Sequence, residues 1–104
     1  MLGAVKLDKI YKLIDPRNNS IRYIGLTSKT LDARLSKHLA DAKTNKKTHK
    51  CNWIRSLISN DITPIIRLIE ECSENESKER EIYWISYYGR ENLVNGTNGG
   101  DGTR

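Results

Sequence analysis

The chain has 104 residues, 18 Lys and Arg against 13 Asp and Glu, a formal net charge of +5 and no Phe. That length allows one compact domain, and 30% charged residues beside 37% hydrophobic ones is an ordinary soluble composition rather than a disordered one. No apolar run reaches the roughly 18 residues of a membrane helix, and Met1–Lys9 lacks the apolar segment of a secretory signal, so an intracellular, cytoplasmic domain is expected. Two cysteines, Cys51 and Cys72, are too few for a disulfide framework and read as reduced, partly buried thiols. A sequence pI near 9.3 suits a polyanionic partner without identifying one.

In chain order, Ile10–Ile14 is rich in strand formers and stops at Asp15-Pro16-Arg17-Asn18-Asn19-Ser20, a turn signal. Ile21–Gly25 follows as a second strand, and the pair reads as an antiparallel hairpin. Thr27 or Ser28 offers a cap for a helix from about Thr30 to Lys43. On that helix Leu31, Leu35, His38 and Ala42 form one stripe, with Leu39 at its edge and Arg34 about 60° to the other side. A basic connection, Lys43–Lys50, leads to a shorter helix over Asn52–Ser59 that buries Trp53, Leu57 and either Ile54 or Ile58. Pro64–Glu70 is the third strand, and Ser73 with Glu76 stands in capping-box spacing before a helix that Gly89 ends. Residues 92–104 carry four of the seven glycines and read as turns. The order β-β-α-α-β-α gives an α+β domain, a small three-stranded sheet with helices packed on it.

Three groups ask for a chemical explanation. Glu81 shares a helix stripe with Ile85 and Tyr88, and a carboxylate on an apolar face must be paired, protonated or bound to a cation. It either reaches a neighbour such as Arg80 or Lys78, or serves as a lone ligand for a hard cation such as Mg²⁺. Arg34 and His38 stand at i,i+4 beside the buried stripe of their helix. An Arg fork suits phosphate and a His can bond a reacting oxygen, whereas the plainer reading is a surface Arg and a core-edge His on a backbone carbonyl. Tyr11 and Tyr23 lie on the paired strands, where tyrosine is usually packing.

Taken in order, Lys9-Ile10-Tyr11, Tyr23-Ile24-Gly25, Arg34-x-x-x-His38, Glu81-x-x-Trp84 and Asn95 resemble the GIY-YIG nuclease domain over about residues 9 to 102. The second tripeptide matches in full, and Lys9 replaces the glycine of the first. Leu93-Val94-Asn95 and the glycines after it are similar to phage and homing-endonuclease members. The resemblance implies a three-stranded antiparallel sheet and a nuclease that hydrolyses DNA with a single Mg²⁺, for which Mn²⁺ can substitute. It implies Glu81 as metal ligand and Arg34 on the scissile phosphate. Tyr11 and Tyr23 hold the attacking water, with the base role shared between them, His38 supports them, and Asn95 positions groups around the site. Relatives often carry a further basic residue near the helix arginine; Ala33 stands there, so Lys29 or Lys37 would serve. Lys46, Lys47 and Lys50 of the basic connection complete the expected nucleic-acid contacts.

Residues 1–104 thus read as a single catalytic domain, with 1–8 as a lead and 92–104 as a tail at which relatives continue into a separate DNA-binding domain. The alternative is a nucleic-acid-binding module that keeps the fold without cleaving, or an interaction domain whose basic loop is merely solvated. Neither accounts for the ordered constellation of polar residues.

Overall fold

The structure is a computed structural model, and it describes residues 7–44 and 46–95. Strands β1 (Leu7–Asp15) and β2 (Ser20–Thr27) form the hairpin. Helices α1 (Leu31–Ala42) and α2 (His49–Ile58) follow, then β3 (Ile65–Ser73), α3 (Ser77–Tyr88) and a 3-10 turn over Arg90–Asn92. The element order is the one the sequence indicates, and the sheet is antiparallel throughout, with β1 between β2 and β3.

Strand alternation divides the core in two. Tyr11 and Leu13 of β1 and Tyr23 of β2 pack with Ala42, Trp53, Ile54 and Leu57 on the face covered by α1 and α2. Ile10, Ile24 and Leu26 pack with Ile85 on the face covered by α3. The hairpin turn is fixed by its own side chains: Asn18 Oδ1 accepts the Ser20 N–H, and Asn19 takes the left-handed φ of 59° that Asn tolerates. Asp15 locks that turn to α2, since its carboxylate accepts from Arg17 and from the Trp53 indole N–H at 3.3 Å. A bulge follows, where the pairing shifts between Leu13 and Ile14.

The helix starts differ from those read off the sequence. Thr30, not Thr27 or Ser28, caps α1, its hydroxyl accepting the Ala33 N–H at 3.1 Å. Thr27 is occupied otherwise, accepting from the Lys29 N–H. α2 begins at His49 rather than Asn52 because Thr48 caps it through the Cys51 N–H, which moves His49 and Lys50 from the loop into a helical turn. Before α3, the Ser73 hydroxyl donates to the Glu76 carboxylate at 3.0 Å instead of completing a capping box. The tail beyond Asn95 lies outside the described residues. Cys51 is buried, Cys72 half-buried, and both are free thiols. Among the described residues no helix is long and apolar enough to cross a membrane.

Candidate active site

The buried stripe of α1 is Arg34, His38 and Ala42, while Leu31, Leu35 and Leu39 are only partly covered. The arginine expected at the rim is therefore 7% exposed, and His38 is fully buried. Both point at Tyr11, itself fully buried at the centre of the sheet. Arg34 Nε donates to the Tyr11 hydroxyl at 3.1 Å, and that hydroxyl lies 2.5 Å from His38 Nε2. A guanidinium can only donate, so the phenol accepts from Arg34, and its bond to His38 Nε2 runs in the direction that the imidazole tautomer sets. The other ring nitrogen, Nδ1, is buried and has no hydrogen-bond partner among the described residues. A His on a backbone carbonyl, the plain reading of the sequence, is not what forms.

Tyr23 adjoins the group, with its ring 5.3 Å from His38 and 6.3 Å from Tyr11 between centroids. Lys50, from the first turn of α2, places its ammonium 5.4 Å from the Tyr23 ring centroid. His38 is driven down to about 3 by burial, and the nearby charges of Lys50 and Arg34 push in the same direction. It is a neutral ring at any ordinary pH. The Arg34 pKa is raised: burial opposes its charge, but Tyr11 first and Tyr23 with it favour the cation.

Gly25 explains how Tyr11 fits. The two residues are cross-strand partners, and a Cβ on Gly25 would lie 2.3 Å from Cζ and from the hydroxyl of Tyr11. The second tripeptide ends in glycine because the phenol of the first occupies that space. Lys9, by contrast, lies in the extended ladder opposite Thr27 and Glu71, where no left-handed backbone calls for glycine.

Asn95 acts at one remove from the phenols. Its Oδ1 accepts from the Ile24 N–H at 3.1 Å and its Nδ2 donates to the Ile24 carbonyl at 2.8 Å, bracing β2 beside Tyr23. Glu81 comes from α3, whose inward stripe is Ser77, Glu81 and Ile85, and it is 4% exposed. The hydrogen bonds joining Tyr11, Arg34 and His38 run without it. Arg80, one partner the sequence offers Glu81, is committed to Glu70 at 2.7 Å. Among the described residues no three His, Cys, Asp or Glu gather to hold a metal ion. A single buried carboxylate still fits a hard cation that keeps its waters and takes the remaining oxygens from a phosphate.

Of the expected nucleic-acid contacts, only Lys50 is at the tyrosines. Lys37 and Lys46 share the carboxylate of Asp41 at 3.3 and 3.4 Å, and Lys29 and Lys47 are exposed. Arg55 escaped the sequence reading. Its Nε donates to the Ala42 carbonyl at 2.7 Å, and its Nη2 to the carbonyls of Thr44 and Lys46, closing the end of α1 and holding the basic connection. Nothing in its spacing signals this, since the acceptors are backbone atoms of a loop.

The hairpin with a phenol on each strand, the buried Arg-His pair and the helical carboxylate define a small α+β domain of the nuclease type. The chain belongs to the GIY-YIG family: the model of the GIY-YIG catalytic domain matches residues 9–95, and a nucleic-acid substrate follows from that membership. No curated protein and no solved structure matches the chain.

Proposed function

We propose that this protein is an endonuclease that hydrolyses DNA phosphodiester bonds with one divalent cation, Mg²⁺ or Mn²⁺. The observation that carries the reading is Arg34. It is a 7%-exposed guanidinium that, among the described residues, makes no salt bridge and is aimed by a phenol. A buried cation is costly unless an anion completes it, and a planar fork of donors suits a phosphate. Charge that builds on the phosphoryl oxygens during attack would fall on that fork.

Tyr11, wholly enclosed and shared by Arg34 and His38, fixes those two side chains. Tyr23, beneath the Lys50 ammonium, is the phenol we assign to orienting the water, and neutral His38 can pass a proton along the pair. Glu81 would hold the cation, which supplies charge neutralisation and an acidified water when bound. The segment from Leu93 onward draws the chain toward the phage and homing-endonuclease members of the family.

Plasmid relaxation tests this. Purified protein with Mg²⁺ is expected to nick or cut supercoiled DNA, and EDTA or Glu81→Gln to stop it with the fold intact by circular dichroism. Cleavage that persists in Glu81→Gln would refute the metal assignment. Wild type that binds DNA yet never cuts it, under any divalent metal, would make the domain a binding module.

A further inference from the structure

We propose that the cavity flanked by His49 and Asn95 is a subsite for one nucleoside of the substrate strand, with Lys50 holding the phosphate that joins it to the scissile linkage. This rests on the nuclease reading and extends it to the form of the substrate. The cavity has a volume of about 460 Å³ and is lined by His49, Glu91, Leu93 and Asn95. It is tied to the site from two directions. The amide of Asn95 is bonded to Ile24, the neighbour of Tyr23, and His49 precedes Lys50, whose ammonium faces the Tyr23 ring.

Its lining suits a base better than a phosphate. The volume lies within the roughly 300–1,000 Å³ of small-ligand sites. Leu93 supplies an apolar surface, while Glu91 is a carboxylate that repels phosphate and accepts from amino groups. The anionic part of a nucleotide therefore stays at Lys50, and the base enters. A carboxylate acceptor favours bases with an exocyclic amino group over thymine. A base in this cavity is not stacked in a duplex, so the preferred substrate is unpaired or easily unstacked next to the cut.

The test has a binding arm and a cleavage arm. Fluorescein-labelled single strands, adenine-rich or thymine-rich, are titrated with protein in Ca²⁺ and followed by anisotropy. Duplexes with an abasic residue at each nucleotide flanking the mapped cut are then cleaved in Mg²⁺ under single-turnover conditions. The wild type is expected to favour adenine over thymine in binding and to lose roughly tenfold in rate when one flanking position is abasic. In the double variant His49→Ala, Glu91→Gln both ratios should collapse toward one. Lys50→Gln should weaken binding of all strands alike, and Lys50→Arg should restore it.

A double variant that discriminates as the wild type does, or Lys50→Gln that binds as tightly as wild type, would overturn the subsite. Absence of cleavage by the wild type would refute the nuclease reading instead. The anisotropy ratios would still decide the subsite.

Discussion

Two of the helices that cover the sheet, α1 and α3, bury stripes of the same spacing and opposite content. On one face α1 turns in Arg34, His38 and Ala42; on the other α3 turns in Ser77, Glu81 and Ile85. Their surroundings differ in the same sense. Residues 29–58, which hold α1 and α2, carry eight Lys and Arg against two Asp, whereas residues 70–81 carry six Glu against Lys78 and Arg80. The outer side of α3 instead shows aromatic rings, with Tyr83 and Tyr87 stacked 6.3 Å apart and both about half exposed or more. The overall charge of +5 thus conceals two flanks of opposite sign. The basic flank is the one whose charge attracts phosphate, and Tyr11, Arg34 and His38 there are also core residues.

That double role makes the α1 face the fragile one. Gly25→Ala should have the largest effect of any single methyl group added to this protein. The new Cβ would overlap the Tyr11 ring, which is fully buried and pinned by Arg34 and His38, so the ring cannot swing away. We expect about 1–3 kcal/mol of lost stability in urea unfolding. Cleavage should fall by at least about a hundredfold at temperatures where the variant is folded, because misplaced catalytic groups cost that much. Normal cleavage by a folded Gly25→Ala protein would show that the Tyr11 position is not critical.

The hairpin, both helix faces and the third strand are legible in the sequence because turn residues and hydrophobic period act locally. The polar centre of α1 is not. Helical spacing puts His38 and Ala42 on the buried stripe with Leu31 and Leu35 and leaves Arg34 beside it. Yet Arg34 is buried and the leucines are only partly covered, since Tyr11 across the sheet offers Arg34 and His38 a hydroxyl. Such a preference depends on a residue 23 or 27 positions away. Lys50 is legible as a basic residue of the connection but not as a neighbour of Tyr23: capping by Thr48 rather than a later residue extends α2 and brings the lysine there. The tripeptides, by contrast, could be recognised directly, and the Tyr11–Gly25 contact gives the physical cause of one of their glycines.

Acid should break the same face first. His38 titrates near 3 when folded against about 6.5 when unfolded, so below pH 6.5 the unfolded chain binds the extra proton. Stability is therefore expected to fall as pH drops from 6.5 toward 3, by up to about 1.4 kcal/mol per pH unit. Asp15 adds a smaller step lower down. Its carboxyl is held at about 2, chiefly by Arg17 and with help from Trp53, so its contribution is present above the unfolded value of 3.8 and is lost between 3.8 and 2. Urea unfolding at a series of pH values separates the two. His38→Gln should flatten the curve between pH 4.5 and 6.5 and leave the lower step. An unchanged slope in that variant would mean that another group titrates there.

Outside Glu81 the α3 flank should be the tolerant one, and Arg80→Ala measures how tolerant. Arg80 pairs with Glu70 at 2.7 Å and lies 4.6 Å from the Tyr83 ring centroid, but it is about one-third exposed. Glu70 keeps the Trp84 indole N–H as a second donor when Arg80 is removed. The loss of stability should stay below about 1 kcal/mol. DNA affinity and its salt dependence should not change, because Arg80 lies on the acidic flank with its charge already paired with Glu70. Lys47→Ala provides the contrast: one phosphate contact fewer should lower affinity and reduce the salt slope by about one. Equal weakening by the two substitutions would mean that DNA reaches around to α3, and the division between the flanks would fail as an account of substrate binding.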